Sequence, residues 1–189
     1  MMTQARLCDD GTFRELMSAL EAGASDDIER TDRLIREFPD DGRLHFLRGS
    51  MLAGIGRSIE ALPALRKAVE LAPDLVIARF QLGFFLLTSG DAAEALSVWG
   101  HLALLEDGHY LRSFVAGLTH LIRDEFGDAV HYLREGIAAN RDNPPLNRDM
   151  ALIIDQVQKL SEGSDPMASG DVSATSLLLG QFAPGRTTH

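Results

Sequence analysis

The sequence predicts an all-α protein built as an array of antiparallel helix pairs, and three observations predict it. A pattern recurs every 34 residues, its small and large apolar positions fall one helical turn apart, and the apolar stripes between them follow a helical rather than an alternating period. Gly49, Gly83 and Gly117 mark the repeat; Ala61, Ala95 and Ala129 follow each glycine by twelve residues, and Leu65, Trp99 and Leu133 come four later. Small residues let two helix backbones approach closely, and large ones fill the space between pairs.

Each element follows from this frame. Residues 1–41 form a degenerate N-terminal pair, with Phe13, Leu16, Met17 and Leu20 on one helix and Ile28, Leu34, Ile35 and Phe38 on the other. Pro39 stands 34 residues before Pro73, which closes the first full unit; a proline just past a helix stops it. Residues 42–143 hold three full units. Their inter-helix turns fall at Gly56, Gly90 and Asp124, residue types that accept left-handed backbone. Asp26-Asp27 and Asp40-Asp41 lie at helix starts, where carboxylates cap backbone N–H groups. Pro63 lies early in the second helix of the first unit if Ser58 caps it, and predicts a slight kink.

Beyond Pro144 and Pro145, residues 144–160 place Leu146, Met150, Ile153, Ile154, Val157 and Leu160 on one face, the pattern of a terminal capping helix. Residues 161–189 are a flexible tail rich in Gly, Ser, Asp and Pro, interrupted by an apolar island with Leu177, Leu178, Leu179 and Phe182. The island reads either as part of an unstructured end or as a docking segment that occupies a groove on this molecule, a second copy or a partner.

Composition bounds the function. The 189 residues are 45% apolar, enough for a continuous core, and 28 acidic against 18 basic residues give a net charge of −10. That balance lacks the basic footprint of a phosphate-binding surface, so no nucleic-acid partner is expected. Cys8 is the single cysteine, which excludes an intramolecular disulfide and a multi-thiolate zinc site and fits a reducing compartment. No apolar run approaches the roughly 18 residues of a membrane span, so the expectation is a cytoplasmic protein without membrane insertion. Sixteen of the 18 basic residues are arginines, a bias that hints at a GC-rich bacterial genome.

The repeat resembles the tetratricopeptide family, whose pattern has a small residue at position 8, alanine at 20, a large apolar residue at 24 and proline at 32. Residues 42–75 match at Gly49, Ala61, Leu65, Ala68 and Pro73; residues 76–109 at Leu82, Gly83, Ala95 and Trp99; residues 110–143 at Gly117, Phe126, Ala129 and Leu133. Asp107 and Arg141 stand where proline is usual, and His45, Arg79 and Ser113 replace the customary aromatic at position 4. The resemblance implies a right-handed superhelix in which the first helix of each pair lines a concave face.

It further implies which residues would line that face. Phe46 comes from the first unit, Ile77, Phe80, Phe84 and Leu87 from the second, and Leu111, Phe114, Leu118 and Leu121 from the third. A groove so apolar suits a protein or peptide partner with apolar anchors, and lacks the basic residues that family members use to clamp a C-terminal carboxylate. The tail island is a candidate cover for it. The expected function is a noncatalytic adaptor or chaperone, like the small acidic bacterial proteins of this type that shield translocator subunits. The alternative is an assembly subunit that self-associates through groove, capping helix or tail.

Catalytic signatures are absent: no G-x-S-x-G, H-E-x-x-H or G-x-x-x-x-G-K-[ST] motif occurs, and Gly54-Ile55-Gly56 lacks the third glycine of a dinucleotide fingerprint. His120 with Asp124 offers two donors at helical spacing, fewer than a metal requires. Neither a cofactor nor a metal is expected, and no enzyme activity.

Overall fold

The computed structural model describes residues 5–23 and 26–163, with side chains described through Leu160. The described residues form nine α-helices and one 3₁₀ helix, and no strand. In chain order they are α1 (Asp10–Glu21), α2 (Asp27–Glu37), α3 (Gly42–Gly54), α4 (Ser58–Leu71) and α5 (Val76–Thr88). Then follow α6 (Ala92–Trp99), the 3₁₀ helix (Gly100–Leu104), α7 (Tyr110–Ile122), α8 (Phe126–Ala139) and α9 (Pro144–Gly163). Residues Leu177, Leu178, Leu179 and Phe182 of the tail island lie outside the described residues.

Two compact units divide within α5, between Leu82 and Gly83. In the first, α2 packs on α3 and α3 along α4, while Cys8, Leu16 and Leu44 form a core with Phe13, Leu34 and Phe38 against it. In the second, α7 packs along α8 and α8 against α9. Among the described residues the packing is mainly between helices consecutive in sequence, consistent with a helical repeat array.

The repeated glycines act where the sequence placed them. A Cβ added at Gly49 would lie 2.8 Å from the Leu65 side chain, one at Gly117 2.8 Å from Leu133, and one at Gly83 2.2 Å from the Trp99 indole nitrogen. Each unit thus closes by seating the large residue of its second helix on the bare backbone of its first. Ala61, Ala95 and Ala129 are fully buried.

Local chemistry sets the helix ends. Asp9 accepts from the backbone N–H groups of Gly11 (2.9 Å) and Thr12 (3.0 Å), Asp41 from Arg43 N–H (3.0 Å), and Asp91 from Glu94 N–H (3.0 Å). Asp26 also stands at a helix start, but its carboxylate pairs with Arg30 at 3.3 Å instead. Ser58 is not the expected cap: it is already helical, and α4 runs on through Pro63. The second helix of the middle repeat is shorter than α4 and α8, because α6 gives way to the 3₁₀ helix at Gly100. Arg66 and Arg134 hold the equivalent places in α4 and α8, and glycine costs a helix about 1 kcal/mol relative to such formers.

Candidate functional site

The residues expected to line an open groove are for the most part core residues. Phe46 and Ile77 are half-buried. Phe80, Leu87, Leu111, Phe114, Leu118 and Leu121 expose none of their surface and Phe84 only 7%. The Phe114 ring lies over α8 where that helix has no side chain: a Cβ on Gly136 would sit 2.4 Å from the ring. In α5, residues 82–88 are all buried. Seven consecutive residues span nearly two helical turns.

The accessible apolar surface lies elsewhere. In the first unit, α2, α3 and α4 border a depression of about 520 Å³ with Ile35, Ile59, Pro63 and Ala64 as its apolar lining. Ile59 is 93% exposed, the extreme among the large apolar side chains of the described residues. His45, Arg48, Glu60 and Lys67 complete the lining. These polar groups are tied down: His45 Nε2 meets the Pro39 carbonyl at 2.9 Å, Arg48 donates to Asp32 at 2.6 Å, and Lys67 to Glu70 at 3.0 Å. Their fixed positions leave the aliphatic lining uncovered. The sequence carried this signal in Ile59, an isoleucine on the polar side of the α4 stripe.

A second constellation fixes the N-terminal segment to α3. The Asp41 carboxylate, 2% exposed, accepts from the Cys8 backbone N–H (3.1 Å) and from Arg43 Nε (3.0 Å) and Nη2 (2.7 Å). Arg43 Nη2 also donates to the Cys8 carbonyl (2.7 Å) and Nη1 to Asp10 (3.2 Å), with the guanidinium 4.4 Å above the Phe13 ring. Burial alone would raise the Asp41 pKa, but the Arg43 hydrogen bonds and charge more than offset it and hold the carboxyl below its ordinary value. Burial, reinforced by the Asp41 and Asp9 carboxylates, pushes the Cys8 thiol up, so it stays protonated and unreactive. Arg43 is spent on this internal clasp.

In the second unit, α7 and α8 border a polar cleft lined by Arg112, Ser113, His120, Tyr132 and Glu135. Ser113 donates to Glu135 at 3.3 Å, and the His120 ring stacks on Tyr132 with centroids 5.2 Å apart and planes 4° from parallel. His120 does not pair with Asp124 as the spacing suggested: α7 ends at Ile122, and Asp124 turns the chain at φ 59°. Glu125 takes that place, its carboxylate 2.5 Å from His120 Nδ1.

No helix among the described residues is long and apolar enough to cross a membrane. Comparison of the chain with protein-family models and with curated proteins gives no match.

Proposed function

We propose that this chain is a noncatalytic protein-binding module, an adaptor or chaperone of tetratricopeptide type, whose hairpins continue one another as a right-handed superhelix. The observation that carries this reading is the depression between α2, α3 and α4, where Ile59 stands 93% exposed beside an aliphatic lining. An apolar patch that a monomer leaves uncovered marks an interaction surface. Its occupant is an apolar segment of a protein partner. Each Leu- or Phe-sized anchor contributes about 1.5–3 kcal/mol on burial, so a few of them give micromolar binding after ordering costs.

Ile59→Asp tests it. Position 59 is solvent-exposed on a helix surface, so the variant keeps its helical content while affinity capture of the partner from the source cells is lost. Capture at native levels by Ile59→Asp would contradict the assignment. The assembly-subunit reading draws on Leu152, 44% exposed on α9. Light scattering separates the two: a concentration-independent homo-oligomer that Leu152→Glu dissolves would favour assembly over binding.

A further inference from the structure

The third hairpin departs from the two before it at its turn. Leu52, Leu86 and His120 share one repeat position; the two leucines are buried, whereas the imidazole is 25% exposed. The turn residue is Gly56, then Gly90, then Asp124, with φ of 76°, 93° and 59°. At the next position, Arg57 and Asp91 both serve their own helix start. Arg57 pairs with Glu60 and Asp91 caps α6 through the Glu94 N–H. Glu125 makes no capping hydrogen bond for α8 and reaches back to His120 instead.

Asp128, from the first turn of α8, faces the same point, so that one donor atom from each of His120, Glu125 and Asp128 lies within 4.8 Å of the others. The sister hairpins close with a leucine at this position, so the fold itself has no need of an imidazole there. Stacking on Tyr132 fixes the plane of the ring.

We infer that His120, Glu125 and Asp128 form a binding site for a divalent transition-metal ion of the Zn²⁺ class, with water completing the coordination. One imidazole nitrogen and two carboxylate oxygens with a position left open is a donor set that Zn²⁺ accepts, whereas Ca²⁺ and Mg²⁺ favour oxygen alone. The two carboxylates balance the ionic charge. Zn–N and Zn–O bonds of about 2.0–2.2 Å place donors roughly 3.3 Å apart. The His120–Glu125 contact therefore opens slightly and the exposed Asp128 carboxylate swings inward, both side-chain rotations on the surface. Bound there, the ion joins the end of α7 to the start of α8.

The test uses the untagged, metal-free full chain, titrated with Zn²⁺ by calorimetry and with Co²⁺ by visible absorption. The expected result is one equivalent bound, with the intense visible band of four-coordinate Co²⁺. Removing an outer-sphere partner already weakens metal sites about 10–100-fold, so His120→Ala and Asp128→Asn should each cost at least tenfold. Asp128→Asn alters only an exposed side chain, which keeps the test valid if His120→Ala perturbs the hairpin. His131→Ala, at an exposed histidine of α8, should leave binding intact. No stoichiometric binding, unchanged affinity in both ligand variants, equal loss in His131→Ala, or a preference for Mg²⁺ would each overturn the site and leave an adventitious ion only.

Discussion

Asp41 shows how much a single side chain can hold. It caps α3, accepts from the Cys8 backbone and pairs with Arg43, so the N-terminal segment and the first full hairpin meet on one carboxylate. Asp41→Asn removes a charged acceptor from a nearly buried position and should cost about 2–3 kcal/mol at neutral pH, read by denaturant unfolding. The folded carboxyl titrates below its ordinary value of 3.8. Its contribution is therefore complete above that pH and disappears as pH falls through the lowered folded value. The native protein and Asp41→Asn should converge in stability in strong acid; a difference that persists there would show that the effect is not electrostatic. The aspartate's capping role was legible from its place before a helical stripe. Its bond to Cys8 was not, because nothing in local sequence says that residues 33 apart will meet.

At the scale of the helix pair, the glycine and its large partner are the closing contact. Gly83→Ala drives a methyl group into the Trp99 indole, a rigid ring, and should destabilise by about 1–3 kcal/mol. Gly54→Ala, where an added Cβ meets nothing within 4 Å, should be neutral or stabilising by about 0.5 kcal/mol. Equal thermal shifts in the two variants would contradict the packing role of the repeat glycines. These hairpins were readable because 34-residue spacing states the same contact three times in residue size alone. The shortened α6 was not, since a single Gly100 sits inside an otherwise intact pattern. The grouping of His120 with Glu125 and Asp128 was equally hidden, because helical spacing fails once the chain turns at Asp124.

Across the whole molecule, the decisive distinction is between apolar residues that close the core and those left at the surface. Residues 76–88, VIARFQLGFFLLT, are apolar nearly all round, and a helix of that kind is buried rather than amphipathic. Residues 82–88 within it are all buried. Phe80 and Phe114 substituted by serine should therefore unfold the protein, with losses of about 3–5 kcal/mol each in thermal or denaturant melts, instead of leaving a folded chain that has lost a ligand. Ile59 belongs to the other class, and the proposed function stands on it. The most direct measurement is photo-crosslinking from a photoreactive residue at position 59, with position 104, also exposed but in the second unit, as the reference. The account expects position 59 to give an adduct with a distinct protein, competed away by the native chain but not by Ile59→Asp, and position 104 to give none. No adduct from position 59, or the same adducts from both positions, would contradict it.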